Sequence, residues 1–237
     1  MARNPPAADA GASDRPNSWR DLAVARSLDP ARARAEQRVQ RFLDAAIELM
    51  RTDSGKEFTV QDVVERSGQS LRSFYQYFAG KHELLLALFE EAVRSTAEQL
   101  EEAIAKEDDP LERLHVFTVE HYILCRPAPA KAKGSRKGGV TPAAMAEFGQ
   151  QLLTAHPKEA SRAFGPVVSL FVELLDEAAE AGVIRPGLHH RHVAGVLLQA
   201  IMFNAFAATI SGSSLGSDAA DGAEELWDLV INGLGAG

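Results

Sequence analysis

The side chains best suited to chemistry lie in one short stretch of the sequence, residues 58–81. Arg72 and Gln76 stand four residues apart, with Ser73 and Tyr75 between them. Guanidinium, amide and hydroxyl groups are the ones that hydrogen-bond base edges and phosphates. A helix would present these residues on its outward side, because residues three and four apart share a face. The chemistry indicated here is therefore recognition of a nucleic acid.

Two short helices joined by a tight turn are predicted to position these side chains. Thr59 can cap the first helix, whose valines fall on one face. Gly68 suits the left-handed backbone at a helix C-terminus, and Ser70 can cap the next helix. The second helix is expected to begin at about Leu71. The residues predicted to point inward from it are Leu71, Phe74 and Phe78.

The order of these residues resembles the tetracycline-repressor (TetR) family of helix-turn-helix regulators. The resemblance rests on T-V-x-D-V-V-x-x-S-G followed by S-x-R-S-F-Y-Q-Y-F-x-x-K-x-E-L-L, and it covers about residues 34–88. It includes the turn glycine Gly68, the aromatic Tyr75 and Phe78, and Lys81, which opens the following helix. Gln69 and Leu71 depart from it: the family usually carries an apolar residue at the first position and frequently a polar one at the second.

The resemblance implies a dimeric regulator, most simply a repressor, that binds an inverted-repeat operator in double-stranded DNA and is released by a small-molecule effector. It assigns base edges to Ser73 and Gln76, a base or a phosphate to Arg72, and phosphates to Tyr75, Tyr77, Ser70, Thr59 and Lys81, while Gln69 is left to solvent or DNA. The full set of DNA-binding residues that it implies is Thr59, Gln69, Ser70, Arg72, Ser73, Tyr75, Gln76, Tyr77 and Lys81. Two recognition helices about 34 Å apart would read two half-sites on one face of the duplex.

Charge is unevenly distributed along the 237 residues, whose formal net charge is −8. Residues 32–81 carry nine basic and seven acidic side chains, whereas residues 82–237 carry 12 basic and 22 acidic ones. A slightly positive unit on an acidic body would turn its positive side toward the duplex. The single cysteine excludes an internal disulfide framework. Because apolar runs fall short of the roughly 20 residues that span a bilayer, a cytoplasmic protein without a membrane partner is expected.

The sequence predicts an all-α fold in three parts. Residues 1–31 are expected to be a flexible N-terminal extension, 32–81 a three-helix DNA-binding unit with the helix-turn-helix, and 82–237 a helical ligand-binding and dimerisation domain. The helices expected outside residues 58–81 are 32–51, a long one from Lys81, 111–125, 142–155, 161–181, 189–210 and 221–234, with a loop at 126–141. In the family, the last two long helices pair with their copies in a second subunit, and 161–181 and 189–210 are apolar enough for this.

The resemblance implies an effector pocket in the second domain, but the sequence does not distinguish the residues that line it from residues of the core. Roughly three in four of the candidate side chains should simply be packing residues, given how many apolar side chains a core needs. The candidates are Phe117, His121, Met145, Phe148, Leu152, Phe171, Met202 and Phe203, with Phe164 and Phe206 beside them. A largely apolar effector, such as a lipid, a sterol or an acyl thioester, is the preferred ligand class.

Residues that resemble chemical sites elsewhere in the sequence are assigned structural roles. His189 and His192 lie three apart, but no acidic residue or cysteine is placed near them in sequence, so no metal is expected. No phosphate loop or nucleophile elbow is found, and neither a cofactor nor an enzymatic activity is expected. The alternative interpretation is a helical small-molecule-binding protein without sequence-specific DNA binding, motivated by Gln69 and Leu71.

Overall fold

The computed structural model describes residues 19–52, 58–126, 143–211 and 219–234, and every element in these ranges is an α-helix. The predicted all-α fold is confirmed. The helices are α1 (Trp19–Thr52), α2 (Val60–Ser67), α3 (Leu71–Tyr77), α4 (Lys81–Ile104), α5 (Pro110–Cys125), α6 (Ala143–Ala155), α7 (Pro157–Ala163), α8 (Gly165–Glu180), α9 (His190–Ser211) and α10 (Ala219–Leu234). The predicted loop at 126–141 lies almost wholly outside the described residues.

The first helix is longer than the sequence predicted. It was expected over residues 32–51, but α1 begins at Trp19 and continues through Pro30. A proline inside a helix has no N–H to donate and normally marks a boundary. Here the chain continues in helical form, and the Arg34 side chain donates to the Pro30 carbonyl across 2.9 Å. Residues 19–31 are therefore helical rather than irregular, which corrects that part of the predicted flexible extension.

An aromatic core holds α1, α2 and α3 together. Phe42 of α1 is fully buried and lies edge-on to Phe74 and Phe78, with ring centroids 5.4 and 6.2 Å apart. Phe74 and Phe78 point inward as predicted. Leu71 does not: 44% of its surface is exposed, because it is the first residue of a short helix and lies at the margin of this core. The recognition helix is thus anchored by its second half.

The long helix from Lys81 is confirmed and takes part in both hydrophobic cores. Its first half, with Leu84 and Phe89, shares one cluster with α1, α2 and α3 and with residues of α6. Its second half, with Leu100 and Ile104, shares a second cluster with α5, α8, α9 and Val230. Packing is therefore continuous from the helix-turn-helix through α4 into the C-terminal helices.

The helix predicted over 161–181 is interrupted near its start. The structure has α7 and α8 there, separated at Phe164, with Gly165 and Pro166 opening α8. Pro166 lacks an N–H group, which is tolerated in the first turn of a helix and so favours a new start at this point. The sequence prediction treated the Gly-Pro pair as part of one continuous helix, and the break gives α7 its own direction.

Helix α9 differs from the expectation that apolar runs are too short to span a membrane. It has 22 residues, and an 18-residue stretch within it has a mean hydropathy of 1.9. By length and composition it could therefore cross a membrane, and 39% of that stretch is buried inside the molecule. One face packs inside the molecule through Ala194, Leu198 and Met202. One such helix is weak evidence for a membrane span, because the core helix of a soluble protein has the same length and composition.

Candidate functional site

The helix-turn-helix has the caps that the sequence predicted at Thr59, Gly68 and Ser70, together with a hydrogen bond to the Asp62 side chain that was not predicted. Thr59 and Asp62 form a reciprocal capping box at the start of α2: the Thr59 hydroxyl accepts from the Asp62 N–H, and the Asp62 carboxylate accepts from the Thr59 N–H across 2.6 Å. The latter hydrogen bond lowers the pKa of Asp62. Gly68 adopts φ 63°, a left-handed conformation that favours glycine. Ser70 then accepts from the Ser73 N–H across 3.1 Å, which starts α3.

One side of α3 is open to solvent and carries the residue types expected to read DNA. Arg72, Tyr75 and Gln76 are exposed, and their spacing of three and four residues places them on one face. Tyr75 is 57% exposed, and its ring stands edge-on to Phe74 at 5.5 Å. Leu71 joins this face. Its apolar side chain was missed as a surface residue, because its spacing to Phe74 and Phe78 matches the buried face.

Other residues predicted to contact DNA occupy less open positions. The Ser73 hydroxyl oxygen is buried and has no hydrogen-bond partner among the described residues. It was expected to face outward, and it does not. Tyr77 is half-buried and packs against the N-terminal core. Gln69 is also half-buried. Thr59 is exposed, but its hydroxyl donates to Asp62 across 2.7 Å. Lys81 holds its ammonium 4.5 Å from the centroid of the Phe58 ring.

A cleft in the C-terminal helices lies between α6, α7, α8 and α9 and has a volume of about 300 Å³. Its walls are mainly apolar and include Leu153, Phe164, Leu198 and Met202. Arg191 is also one of the lining residues. Of the eight side chains predicted to bind the effector, Met202 alone lines this cleft. Phe164, named beside those eight, also lines it.

The other predicted effector residues are divided between the two cores. Met145, Phe148 and Leu152 belong to the cluster that includes the helix-turn-helix, and Phe117 and Phe171 belong to the second cluster. Phe203 is 49% exposed and belongs to neither cluster, and it is not among the residues that line the cleft. Within the first cluster, Gly149 of α6 lies so close to Phe89 and Phe206 that a Cβ there would be 2.8–2.9 Å from their rings.

A family model for bacterial regulatory proteins of the tetR family matches residues 42–88, which run from the middle of α1 through α2 and α3 into α4. This is the segment with the capping box, the turn glycine and the exposed recognition face. The helix-turn-helix segment of the chain is therefore that of the tetR family. The resemblance inferred from the sequence is thereby confirmed.

Similar proteins extend the comparison beyond this segment. A curated relative, the fatty acid metabolism regulator protein of Bacillus subtilis (strain 168), is 26% identical over 83 residues, which are 35% of this chain and 43% of the relative. The matched region thus spans less than half of that regulator's length. A structure of FadR from Bacillus subtilis in complex with stearoyl-CoA has a TM-score of 0.61 at 18% identity, covering 82% of this chain and 98% of that one. The fatty acid degradation regulator FadR of Bacillus halodurans has a TM-score of 0.60 at 18% identity, covering 81% and 94%. At these identities, the likeness shows a shared fold alone.

Two titratable groups in the C-terminal part of the chain are held in their neutral forms by burial. His121 is 2% exposed, and desolvation lowers its pKa from 6.5 to about 4. Burial likewise raises the pKa of the Cys125 thiol to about 12. The Cys125 sulfur lies 3.7 Å from His121 Nε2, and the His121 ring stacks on Phe117 with centroids 5.7 Å apart. The pair therefore forms an uncharged part of the interior rather than a reactive thiolate.

Proposed function

We propose that this chain is a ligand-responsive transcriptional regulator, a repressor that binds an inverted-repeat operator as a dimer and is released by a small apolar ligand. Its location would be the cytoplasm, where the operator is, and no enzymatic step is part of this role. The observation that carries the proposal is the exposed face of α3, which places Arg72, Tyr75 and Gln76 together on a helix fixed at both ends.

The exposed face divides into polar and apolar contacts. Arg72 can donate two hydrogen bonds to guanine or bind a phosphate, and Gln76 can pair with an adenine edge. Leu71, four residues before Tyr75, suits the methyl group of thymine. Thr59, Ser70, Tyr77, Gln69 and Lys81 lie around this face and are proposed to contact phosphates. Ser73 is better suited to packing, because its hydroxyl oxygen is buried.

The dimer interface is proposed to form from α9 and α10. Among the residues that the structure describes, the large apolar side chains exposed outside the helix-turn-helix are Val196, Phe203 and Ile210 on α9 and Leu229 on α10, with exposures of 54%, 49%, 37% and 72%. An exposed apolar face of this kind on a soluble protein marks an interaction surface.

Helix α8, which the sequence paired with α9 in this role, has a different outer side. Its exposed residues include Glu173, Asp176 and Glu180, and two copies of such a face would repel each other. We therefore expect Phe203→Asp to shift the protein toward monomer in sedimentation velocity, while Glu173→Gln leaves the dimer intact. A dimer that survives Phe203→Asp and Leu229→Asp would remove this assignment.

The effector is proposed to bind in the cleft between α6 and α9 through an apolar tail and an anionic group. The apolar walls suit an acyl chain, and Arg191 can pair with a carboxylate or a phosphate at the edge. An acyl thioester such as acyl-CoA fits both features, and stearoyl-CoA is the ligand of the structurally similar FadR from Bacillus subtilis.

This assignment is tested by titrating the protein with acyl-CoA of increasing chain length and measuring heat. Arg191→Ala should weaken binding, whereas Arg185→Ala, an exposed arginine outside the cleft, should not. Equal affinities for wild type and Arg191→Ala would place the anionic group elsewhere.

Coupling between the two sites is proposed to run through α4. The first half of this helix packs with the helix-turn-helix, and its second half packs with α5, α8 and α9. A ligand that favours one position of α4 would favour one spacing of the two recognition helices, so operator affinity would follow ligand occupancy by a population shift.

The experiment that tests the function starts from selection of purified protein against random duplex DNA. An enriched inverted repeat should be bound with an affinity that falls as salt rises. Arg72→Ala should weaken binding by about 1–3 kcal/mol, and Arg94→Ala, an exposed arginine on α4, is the matched control and should leave it unchanged. Failure to enrich any sequence would instead favour the alternative, a helical small-molecule-binding protein.

A further inference from the structure

Two histidines and a glutamate from separate parts of the chain converge where α4 begins. His82 is the second residue of α4, His156 lies between α6 and α7, and Glu159 belongs to the first turn of α7. His82 Nε2 is 2.7 Å from Glu159 Oε2, and His156 Nδ1 is 3.9 Å from the same oxygen. One ligand atom from each of the three residues can be chosen so that all lie within 4.8 Å of one another.

These separations are close to what a single metal ion requires. Ligand atoms 2.0–2.1 Å from a tetrahedral Zn²⁺ ion lie about 3.3 Å apart. The two measured distances to the Glu159 oxygen fall on either side of that value, so small side-chain rotations would bring the three atoms onto one centre. Imidazole nitrogen and carboxylate oxygen are ligands that divalent transition metals accept.

The surroundings of the three side chains favour an ordered site with room for a water ligand. Between 35% and 41% of each side chain is exposed, so the fourth coordination position can be reached from solvent. The His82 ring lies 4.7 Å from the His156 ring and 5.3 Å from that of Phe148, which packs it on the inner side. A second pair, Arg162 Nε to Glu90 Oε1 at 2.7 Å, joins α7 to α4 further along and holds the two helices in register.

We propose that His82, His156 and Glu159 form a binding site for a divalent transition-metal ion of the zinc class, which fixes the start of α4 to the junction of α6 and α7. No site of this kind was expected from the sequence, because the three residues are separated by up to 77 positions. The ion replaces the direct hydrogen bond between His82 and Glu159 with bonds from both residues to one centre, and water supplies the remaining ligand.

The site lies close in the chain to the proposed DNA-reading helix. Phe78 caps the C-terminus of α3, and His82 follows it by four residues. In the connection between them, the Ala79 N–H donates to the Glu83 carboxylate, and the Lys81 ammonium lies over the Phe58 ring. An ion bound at His82 therefore restrains the connection between α3 and α4. If the chain is the operator-binding regulator proposed above, metal occupancy changes its operator affinity; this consequence rests on the proposed function, but metal binding itself does not.

Cobalt(II) titration of the untagged, chelator-treated full chain tests the site without DNA. Tetrahedral Co²⁺ gives a visible absorption band, and wild type should develop it to one equivalent per chain and lose it when Zn²⁺ is added. His156→Ala and Glu159→Gln should each weaken Co²⁺ binding by more than about tenfold. Glu159→Gln is nearly isosteric, so it tests the ligand even if His156→Ala disturbs the fold.

The matched control is His115→Ala. His115 also lies between two carboxylates, Glu112 at 3.6 Å and Glu224 at 2.9 Å, but they approach opposite ring nitrogens and cannot share one ion. This variant should keep the wild-type band. Zn²⁺ should also raise the melting temperature of wild type and His115→Ala but not of Glu159→Gln. The absence of a band in wild type, or an equal band in His156→Ala and Glu159→Gln, would overturn the proposal.

Because the titration contains no DNA, the two proposals can fail separately. If the protein binds metal but enriches no operator, the metal site is supported and the proposed effect on operator affinity is contradicted. If the protein enriches an operator but gives no Co²⁺ band, the proposed regulator is supported and the metal site is contradicted.

Discussion

Acidification should destabilise this protein through the buried His121. Its pKa is about 4 in the folded chain and 6.5 in the unfolded reference, so between these values the unfolded chain binds a proton that the folded chain does not. Stability therefore falls as pH falls. With 1.36 kcal/mol per pKa unit, this one group removes about 2 kcal/mol between pH 7 and pH 5, and about 3 kcal/mol once the pH is below 4.

The contribution of His121 is isolated by comparing wild type with His121→Gln in urea unfolding at both pH values and equal protein concentration. Other titrating groups are common to the two proteins and cancel in the difference. Any constant cost of the substitution, from lost stacking on Phe117, also cancels. The stability difference between the proteins should shift by about 2 kcal/mol in favour of the variant on going from pH 7 to pH 5. Parallel pH dependences would refute the argument and mean that His121 gains a proton without unfolding.

Three further predictions follow from individual contacts. Ser73→Ala should leave operator affinity unchanged and raise the free energy of unfolding by up to about 1 kcal/mol, because it removes a buried hydroxyl without a partner among the described residues. A loss of operator affinity in a titration would instead show that Ser73 contacts a base. Gly149→Ala should lower the unfolding free energy by about 1–3 kcal/mol, since the rings of Phe89 and Phe206 must move, and an unchanged urea midpoint would contradict the close packing. Cys125 should react with a thiol reagent far more slowly in the folded protein than in urea, because burial raises its thiol pKa to about 12, and equal rates would show that the thiol is accessible.

Local sequence signals were sufficient for the helix-turn-helix. The reciprocal bonds of Thr59 and Asp62, the left-handed Gly68 and the cap at Ser70 involve residues within three positions of one another. Such signals do not depend on the rest of the molecule, so the turn and the helix starts were predicted correctly. The same holds for Lys81, which opens α4 as expected.

Errors arose wherever the environment of a side chain depends on distant parts of the chain. Leu71 has the helical spacing of a core residue, but the aromatic cluster around Phe42 ends before reaching it. Ser73 has a polar side chain on a short helix, and yet its oxygen is covered. The first helix was expected over residues 32–51, whereas it begins at Trp19 and passes through Pro30.

By itself, the sequence determined that the chain is helical, where the recognition helix begins, and which family its helix-turn-helix resembles, because capping, turn and periodicity signals are local. Tertiary structure alone decided which of the many apolar side chains line a cleft, which face outward on α9 and α10, and that His82, His156 and Glu159 meet. The reason is that burial and convergence depend on how helices pack, and residues far apart in sequence carry no local sign that they will be neighbours.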